Sequence, residues 1–255
     1  AAMGVEMVNG KEITDIEALK KDYDYVVLAV GASEQGVLKL EAGDTMNALD
    51  FLARFKATEG KVELGKNVVV IGGGNTAMDT ARAAKRNAGV EKVSLVYRRT
   101  RRYMPADEEE LVMAVEDGVE FAELLAPVKL ENGVLYCKKM VLGDMDASGR
   151  RGVVETDETV EVPADTVIAA VGEKVPGAFY ESFGIALDSR RRPQVNQETL
   201  ETSVKGVYVA GDGLYGPATV VEGIRDGKMA AEAIIGKALA EDLFKLSDAE
   251  TIYGR

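Results

Sequence analysis

A chain of 255 residues with 46% hydrophobic content can bury a substantial core, as one large domain or two smaller ones. Its formal net charge of -12 argues against a general binder of nucleic-acid backbones, which needs a basic surface. The single cysteine, Cys137, rules out an internal disulfide, a CxxC redox pair and an iron–sulfur site built from this chain alone.

The absence of histidine removes Ser-His-Asp triads, Cys-His dyads and the usual zinc ligands, so no metal site is expected and any acid–base work falls to Glu, Asp, Lys or Tyr. No apolar run approaches the ~20 residues that cross a bilayer. The opening AAMGVEMVNG lacks the basic and then apolar order of a secretory signal, and a reducing cytoplasm fits, with neither membrane nor nucleic acid as a partner.

In chain order, IEALKKD reads as a short helix, and a strand near residues 25–30 ends in GAS. In ALDFLARF, residues 48–55, Leu49, Leu52 and Phe55 share one helical face. Residues 68–71 form a continuous apolar strand, of the kind found where both faces of a parallel sheet are covered. Residues 77–86 read as a helix and KVSLVY, 92–97, as a second strand, which completes one βαβ unit.

Residues 107–118, DEEELVMAVEDG, have helical spacing, with Leu111, Val112 and Val115 on one side and acids in the first turn, where the helix dipole favours them. A meander of short strands follows (VEFAELL, GVLYCKKMVLG, TVEVP), interrupted by a polar DASGRR loop and ending at the buried strand TVIAAVG. Beyond the Arg- and Pro-rich DSRRRPQVN, the strand GVYVA runs into GDG. A helix starts near Ala218, with Val220, Val221, Ile224 and Ala231 placed to pack on a sheet.

Three stretches carry chemistry. Residues 72–77, GGGNTA, fit GxGxxA between a strand and a helix, the context that a dinucleotide loop requires. Gly72 permits the tight turn, Gly74 lets a pyrophosphate approach the backbone and Ala77 lets the helix lie close to the strand, while the helix start offers free N–H groups and partial positive charge. An NAD site places an acid at the end of the second strand, about 20 residues on, to bond the ribose 2′-hydroxyl. Arg98 and Arg99 stand there instead, and forked guanidinium bonds suit a 2′-phosphate, so NADP(H) is expected. The alternative is a solvated basic turn paired with Asp107 and Glu108. The third stretch, GVYVAGDGLYGPATVVEGI, sets Asp212 at the end of a strand, the edge at which α/β sheets bind ligands; Asp and Gly are also ordinary turn formers.

Taken together, GGGNTAMD, YRRTRRYMPA, the AAVG at 169–172 and TSVKGVYVAGDGLYGPATVVEGIRDGKMAAEA resemble the NADPH-dependent flavoproteins of the glutamate synthase small-subunit family, a module shared with dihydropyrimidine dehydrogenase. Within it, DASGRRGVVETDETV most resembles the selenate-reductase-associated iron–sulfur flavoprotein branch. The resemblance implies an α/β fold in which a Rossmann-like NADPH-binding domain is inserted into an FAD-binding domain, with hydride passing from NADPH to FAD. By that resemblance residues 45–175 are the NADPH-binding domain, while 1–44 and 176–255 belong to the FAD-binding domain. Gly74, Asn75 and Thr76 match the pyrophosphate loop, Arg98 and Arg99 the 2′-phosphate site, and Ala170 to Gly172 the strand end beside the cofactor. Gly211 and Asp212 match the flavin motif in which the Asp bonds the ribityl chain, and the helix beginning at Ala218 and Thr219 would point its positive end at the flavin ring. Ala29 to Ala32 match the crossover strand of the FAD-binding domain.

The family's FAD half opens with its own GxGxxG loop, preceded by iron–sulfur cysteines, and residues 1–65 contain neither. The chain therefore reads as the C-terminal part of a longer polypeptide, a complete NADPH domain with an incomplete FAD half whose ADP cradle is missing. Its expected partners are the upstream FAD and iron–sulfur region, a redox partner subunit and a second copy of itself. Two rivals are an NADP(H)-binding module without catalysis and a thioredoxin-reductase-like enzyme, the latter needing a dithiol that Cys137 alone does not supply.

Overall fold

The structure, a computed structural model, describes residues 4–32, 34–145 and 151–252, with side chains up to residue 240. The chain forms two compact units, Ala1–Glu34 with Glu173–Arg255, and Gln35–Gly172.

The second unit is built on a five-stranded parallel sheet. In spatial order its strands are Met46–Asn47, Thr166–Ala169, Asn67–Ile71, Lys92–Tyr97 and Glu120–Glu123. Asn67–Ile71 reads NVVVI because both faces are covered. Val68 and Val70 pack with Val93 and Leu95 against three helices, Ala48–Ala57, Asn75–Arg86 and Glu108–Glu116. The alternate residues Val69 and Ile71 face a three-stranded antiparallel sheet formed by Leu125–Glu131, Val134–Met145 and Arg151–Pro163, with Leu135, Cys137 and Val162.

Three expectations are corrected here. VEFAELL does not open the meander as one strand: Glu120–Glu123 joins the parallel sheet beside Lys92–Tyr97, and Leu124, at φ 58°, bends the chain into the antiparallel sheet. The helix over residues 48–57 turns inward through Ala48 and Phe51, leaving Leu49 exposed, because Asn47 caps it and sets its rotation. The helix over residues 108–116 buries Leu111 and Ala114, while Val112 and Val115 are exposed, since the alanine allows close approach to the neighbouring Ala-rich helix. The part of the DASGRR loop at residues 146–150 lies outside the described residues.

In the first unit, Val26–Leu28 pairs in parallel with Val207–Val209. Leu28, Val207 and Val209 form a core with Ile16 of the helix Ile16–Asp22, with Tyr180 of the helix Gly177–Ser182, and with Ile185, Leu200 and Leu214. The strand ends at Leu28, so Ala29–Ala32 follow as the loop beyond it. The long C-terminal helix is Val220–Ile252, and the face expected from the sequence is overturned. Val220, Val221 and Ile224 are exposed, as is Ala231, and the helix turns Asp226 and Ala230 inward. Asp226 finds a backbone donor there, which decides the rotation. Among the described residues no helix is long and apolar enough to cross a membrane.

Burial pushes the thiol of the fully covered Cys137 up to about 11. Ellman's reagent at pH 8 is expected to leave this thiol unlabelled in the native protein and to titrate one thiol in denaturant; rapid native labelling would contradict the burial.

Candidate functional site

The predicted residues of the second unit gather at the carboxyl ends of its parallel strands. Asn67–Ile71 has the next strand in sequence on one side and Thr166–Ala169, which returns from far along the chain, on the other. Ligands of open α/β sheets bind at the carboxyl edge where the strand order reverses in this way. Gly72 and Ala170 sit at that edge, each tied to a neighbouring strand: the Ala170 N–H donates to Ile71 O at 2.8 Å, and the Gly72 N–H donates to Val96 O at 3.1 Å.

The three glycines are required for different reasons. A Cβ at Gly72 would run into the Ala170 carbonyl oxygen, and one at Gly73 would overlap the ring of Tyr97. At Gly74 the nearest such contact is Pro105 Cγ at 4.0 Å, so the room its missing side chain leaves is open. Gly74 is also the N-cap of Asn75–Arg86 and contributes no side-chain cap. Among the described residues, the N–H groups of Gly73, Gly74, Asn75 and Thr76 meet no acceptor, while Ala77 and Met78 N–H donate to Gly74 O. Ala77 is fully buried, as the close helix-to-strand packing requires. Donors without a partner among the described residues at the positive end of a helix suit an anion, and a Cβ at Gly74 would meet only Pro105 Cγ at 4.0 Å.

The side chain of Asn75 has another task. Its amide donates to the Asp107 carboxylate at 3.2 Å and its oxygen accepts the Asp107 N–H at 3.0 Å; the Ala106 N–H donates to Gly73 O at 3.0 Å. These bonds fold residues 104–107 beside the glycine loop.

Arg98 and Arg99 form the turn that follows Lys92–Tyr97. Arg98 is exposed, and its guanidinium has no hydrogen bond or ion pair with a described residue. Arg99 Nε donates to Arg151 O at 3.3 Å, which leaves its terminal nitrogens uncommitted among those residues. Neither pairs with Asp107 or Glu108. It is Arg101 that binds Glu108, through an exposed ion pair, so the solvated-turn alternative describes Arg101 rather than the first two arginines. At the far strand end, Gly172 uses its carbonyl to accept the Gly36 N–H at 2.8 Å.

In the first unit, Gly211 adopts φ 69° and ψ -154°, a region only glycine occupies readily. Its N–H donates to Asp226 at 3.3 Å. Asp226 is 3% exposed and is held by Arg225 at 2.7 Å. Asp212 begins the short helix Asp212–Tyr215, and its carboxylate accepts the Ala218 N–H at 3.2 Å. Thr219 caps the long helix reciprocally with Glu222: the Thr219 N–H donates to the Glu222 carboxylate at 2.8 Å, and the Glu222 N–H to Thr219 Oγ1 at 3.4 Å. The helix therefore starts at Val220, and Ala218 and Thr219 belong to the approach to it. Beneath Gly213 lies the hydroxyl of Tyr180, fully buried, without a partner among the described residues, and pushed by burial up to about 12.

Sequence reasoning missed Tyr97, Asp107, Glu123 and Asp226. Tyr97, Glu123 and Asp226 bond backbone brought near by the fold, while Asp107 meets the Asn75 side chain; for Tyr97 and Glu123 the available signal was a tyrosine or acid at a strand end, which by itself is common.

A parallel sheet with a glycine turn, a bare helix start and an arginine turn at its carboxyl edge defines a dinucleotide-binding α/β protein. The chain belongs to the pyridine nucleotide-disulphide oxidoreductase family, whose profile matches residues 2–227. It is 41% identical over 245 residues to the oxidoreductase named YgfK of Escherichia coli (strain K12), covering 93% of this chain and 23% of that protein. The glutamate synthase [NADPH] small chain of the same strain is 36% identical over 261 residues, covering 91% of this chain and 55% of the relative. The chain thus spans about a quarter of the first curated relatives it matches. Among solved structures, FprA of Mycobacterium tuberculosis in complex with NADPH aligns with a TM-score of 0.69 at 20% identity, over 91% of this chain and 68% of that one. The expected likeness to glutamate synthase small chains and the expected α/β fold class are both borne out.

The glycine geometry separates folding from binding. Gly73→Ala is expected to lose about 1–3 kcal/mol of stability in urea denaturation because the Tyr97 ring must shift. Gly74→Ala should lose no more than about 1 kcal/mol, as an N-cap change, yet weaken dinucleotide binding at least tenfold by calorimetry. Equal binding by wild type and Gly74→Ala would remove the phosphate from this loop.

Proposed function

We propose that this chain is the cofactor-handling part of an oxidoreductase that takes a hydride from NADPH and passes it to FAD, feeding an iron–sulfur or other redox partner. The observation that carries the reading is the combination of four N–H groups at Gly73–Thr76 with an Arg98 guanidinium on the adjacent strand end, none of them with a partner among the described residues. Support comes from the names of relatives, a glutamate synthase [NADPH] small chain and an NADPH-Fe(3+) oxidoreductase subunit beta, and from FprA, solved with NADPH.

In this reading residues 45–175 bind NADPH. The backbone of Gly72, Gly74, Asn75 and Thr76 receives the pyrophosphate, Arg98 and Arg99 receive the 2′-phosphate, and Ala170 and Gly172 border the site. Residues 1–44 and 176–255 supply part of the FAD site, with Gly211, Asp212, Ala218 and Thr219 at the flavin. The fit there is chemical: Asp212 offers a carboxylate at a strand end, and Asp226 fixes the Gly211 turn that presents it. Nicotinamide and flavin supply the redox chemistry when bound; this chain's residues bind, orient and neutralise charge, and none is needed as an acid or base. The reading includes a partner subunit, which the relatives' designations as small chain and subunit beta support, and a cytoplasmic location, in keeping with one buried thiol and no disulfide.

Arg98→Ala tests it. NADPH affinity should fall about tenfold and NADH affinity less than twofold, measured by calorimetric titration. Equal loss for both cofactors would sink the 2′-phosphate assignment. Failure of the longer polypeptide to reduce an artificial acceptor with NADPH would leave a binding module without catalysis.

A further inference from the structure

The arginine turn is pinned by side chains that belong to neither cofactor surface. The Tyr97 hydroxyl donates to Tyr103 O at 2.8 Å, and the Arg101 N–H donates to the Glu123 carboxylate at 2.8 Å. A third bond runs from the Leu124 N–H to Arg99 O at 3.2 Å. Tyr97 and Glu123 are register partners on adjacent parallel strands, so the two anchors rise from one point of the sheet edge and take hold of residues 101 and 103.

Tyr97 has a second role. It is 8% exposed, and its ring fills the space in which a Cβ at Gly73 would stand. The same side chain therefore touches the glycine loop with its ring and the arginine turn with its hydroxyl, which sets the spacing between them. Glu123 is an acid at a strand end, the residue type that in an NAD site bonds the ribose hydroxyls. Here its carboxylate is committed to backbone instead.

We propose that Tyr97 and Glu123 are the positioning residues of cofactor choice: they hold the turn that carries Arg98 and Arg99 at a fixed distance from the pyrophosphate loop, so that the 2′-phosphate meets a preformed clamp. A turn left unpinned would have to be ordered on binding, and that cost falls on the ligand that uses the arginines. The inference rests on the 2′-phosphate reading of Arg98 and Arg99. The role of Glu123 is that of an acceptor, so an amide replaces it; its negative charge beside the arginines contributes nothing favourable to an anion.

The test is calorimetric titration of the full chain with NADPH and with NADH for Tyr97→Phe, Glu123→Ala and Glu123→Gln, with thermal melts alongside. Tyr97→Phe keeps the ring under Gly73 and removes one oxygen, so the fold survives. Expected results are a drop of about fivefold in the NADPH-to-NADH preference for Tyr97→Phe and for Glu123→Ala, and a preference within twofold of wild type for Glu123→Gln. The proposal is overturned if either of the first two keeps the wild-type preference, if both cofactors weaken alike, or if Glu123→Gln falls as far as Glu123→Ala. A failure of the underlying reading is separately visible, because Arg98→Ala would then leave the preference unchanged.

Discussion

The exclusion of side chains at Gly72 and Gly73 governs the carboxyl edge of the sheet. With the Ala170 carbonyl on one side and the Tyr97 ring on the other, the backbone passes between two neighbouring strands with no room to spare. That close passage brings the start of Asn75–Arg86 down to the edge with its first N–H groups unused. The helix packs there through Ala77, Ala81 and Ala84, which are fully buried and small enough for the approach. The positive end of the helix is thus brought to the sheet edge by packing rather than by any charged side chain.

Charge enters at the second strand end, and it enters selectively. Of the basic residues between 98 and 102, Arg101 is occupied by Glu108, while Arg98 meets no described partner. In a chain with a formal net charge of -12, Arg98 and the terminal nitrogens of Arg99, without partners among the described residues, form a local exception. Glu110 of Glu108–Glu116 and its C-cap Asp117 are directed elsewhere: both bind Arg82, and Asp117 also binds Arg86. The side-chain bond from Arg82 is the main reason that the Asp117 carboxyl lies below its ordinary range.

Much of this could be read from the sequence, and the reasons differ by element. GGGNTA was legible because a strand, a glycine turn and a helix are encoded within a dozen consecutive residues, and local steric demands leave few alternatives. The NVVVI strand was legible because two-sided burial erases alternation. Helix rotation was not. Leu49, Val112, Val220, Val221 and Ile224 are apolar yet exposed, because rotation is set by caps and by small or polar residues such as Asn47, Ala114 and Asp226. Periodicity counts apolar residues and is blind to a buried carboxylate with a backbone donor. The division of VEFAELL between two sheets was hidden for a similar reason: it turns on the left-handed backbone of Leu124, a conformation that leucine does not advertise.

The position of Thr166–Ala169 bears on how this unit reaches its native state. That strand pairs directly with Asn67–Ile71, and Asp165 accepts the Lys66 and Asn67 N–H groups at 2.8 Å each, contacts that span nearly a hundred residues. Between them the chain must build two further parallel strands and an antiparallel sheet. Closing so long a loop is slow because its entropy is lost before the pairing returns any energy. Until the strand docks, the Ala170 carbonyl is absent from Gly72 and the glycine turn lacks one of its walls. The fast local βαβ unit can therefore form early, while its glycine turn is completed only when a strand nearly a hundred residues further along the chain has docked.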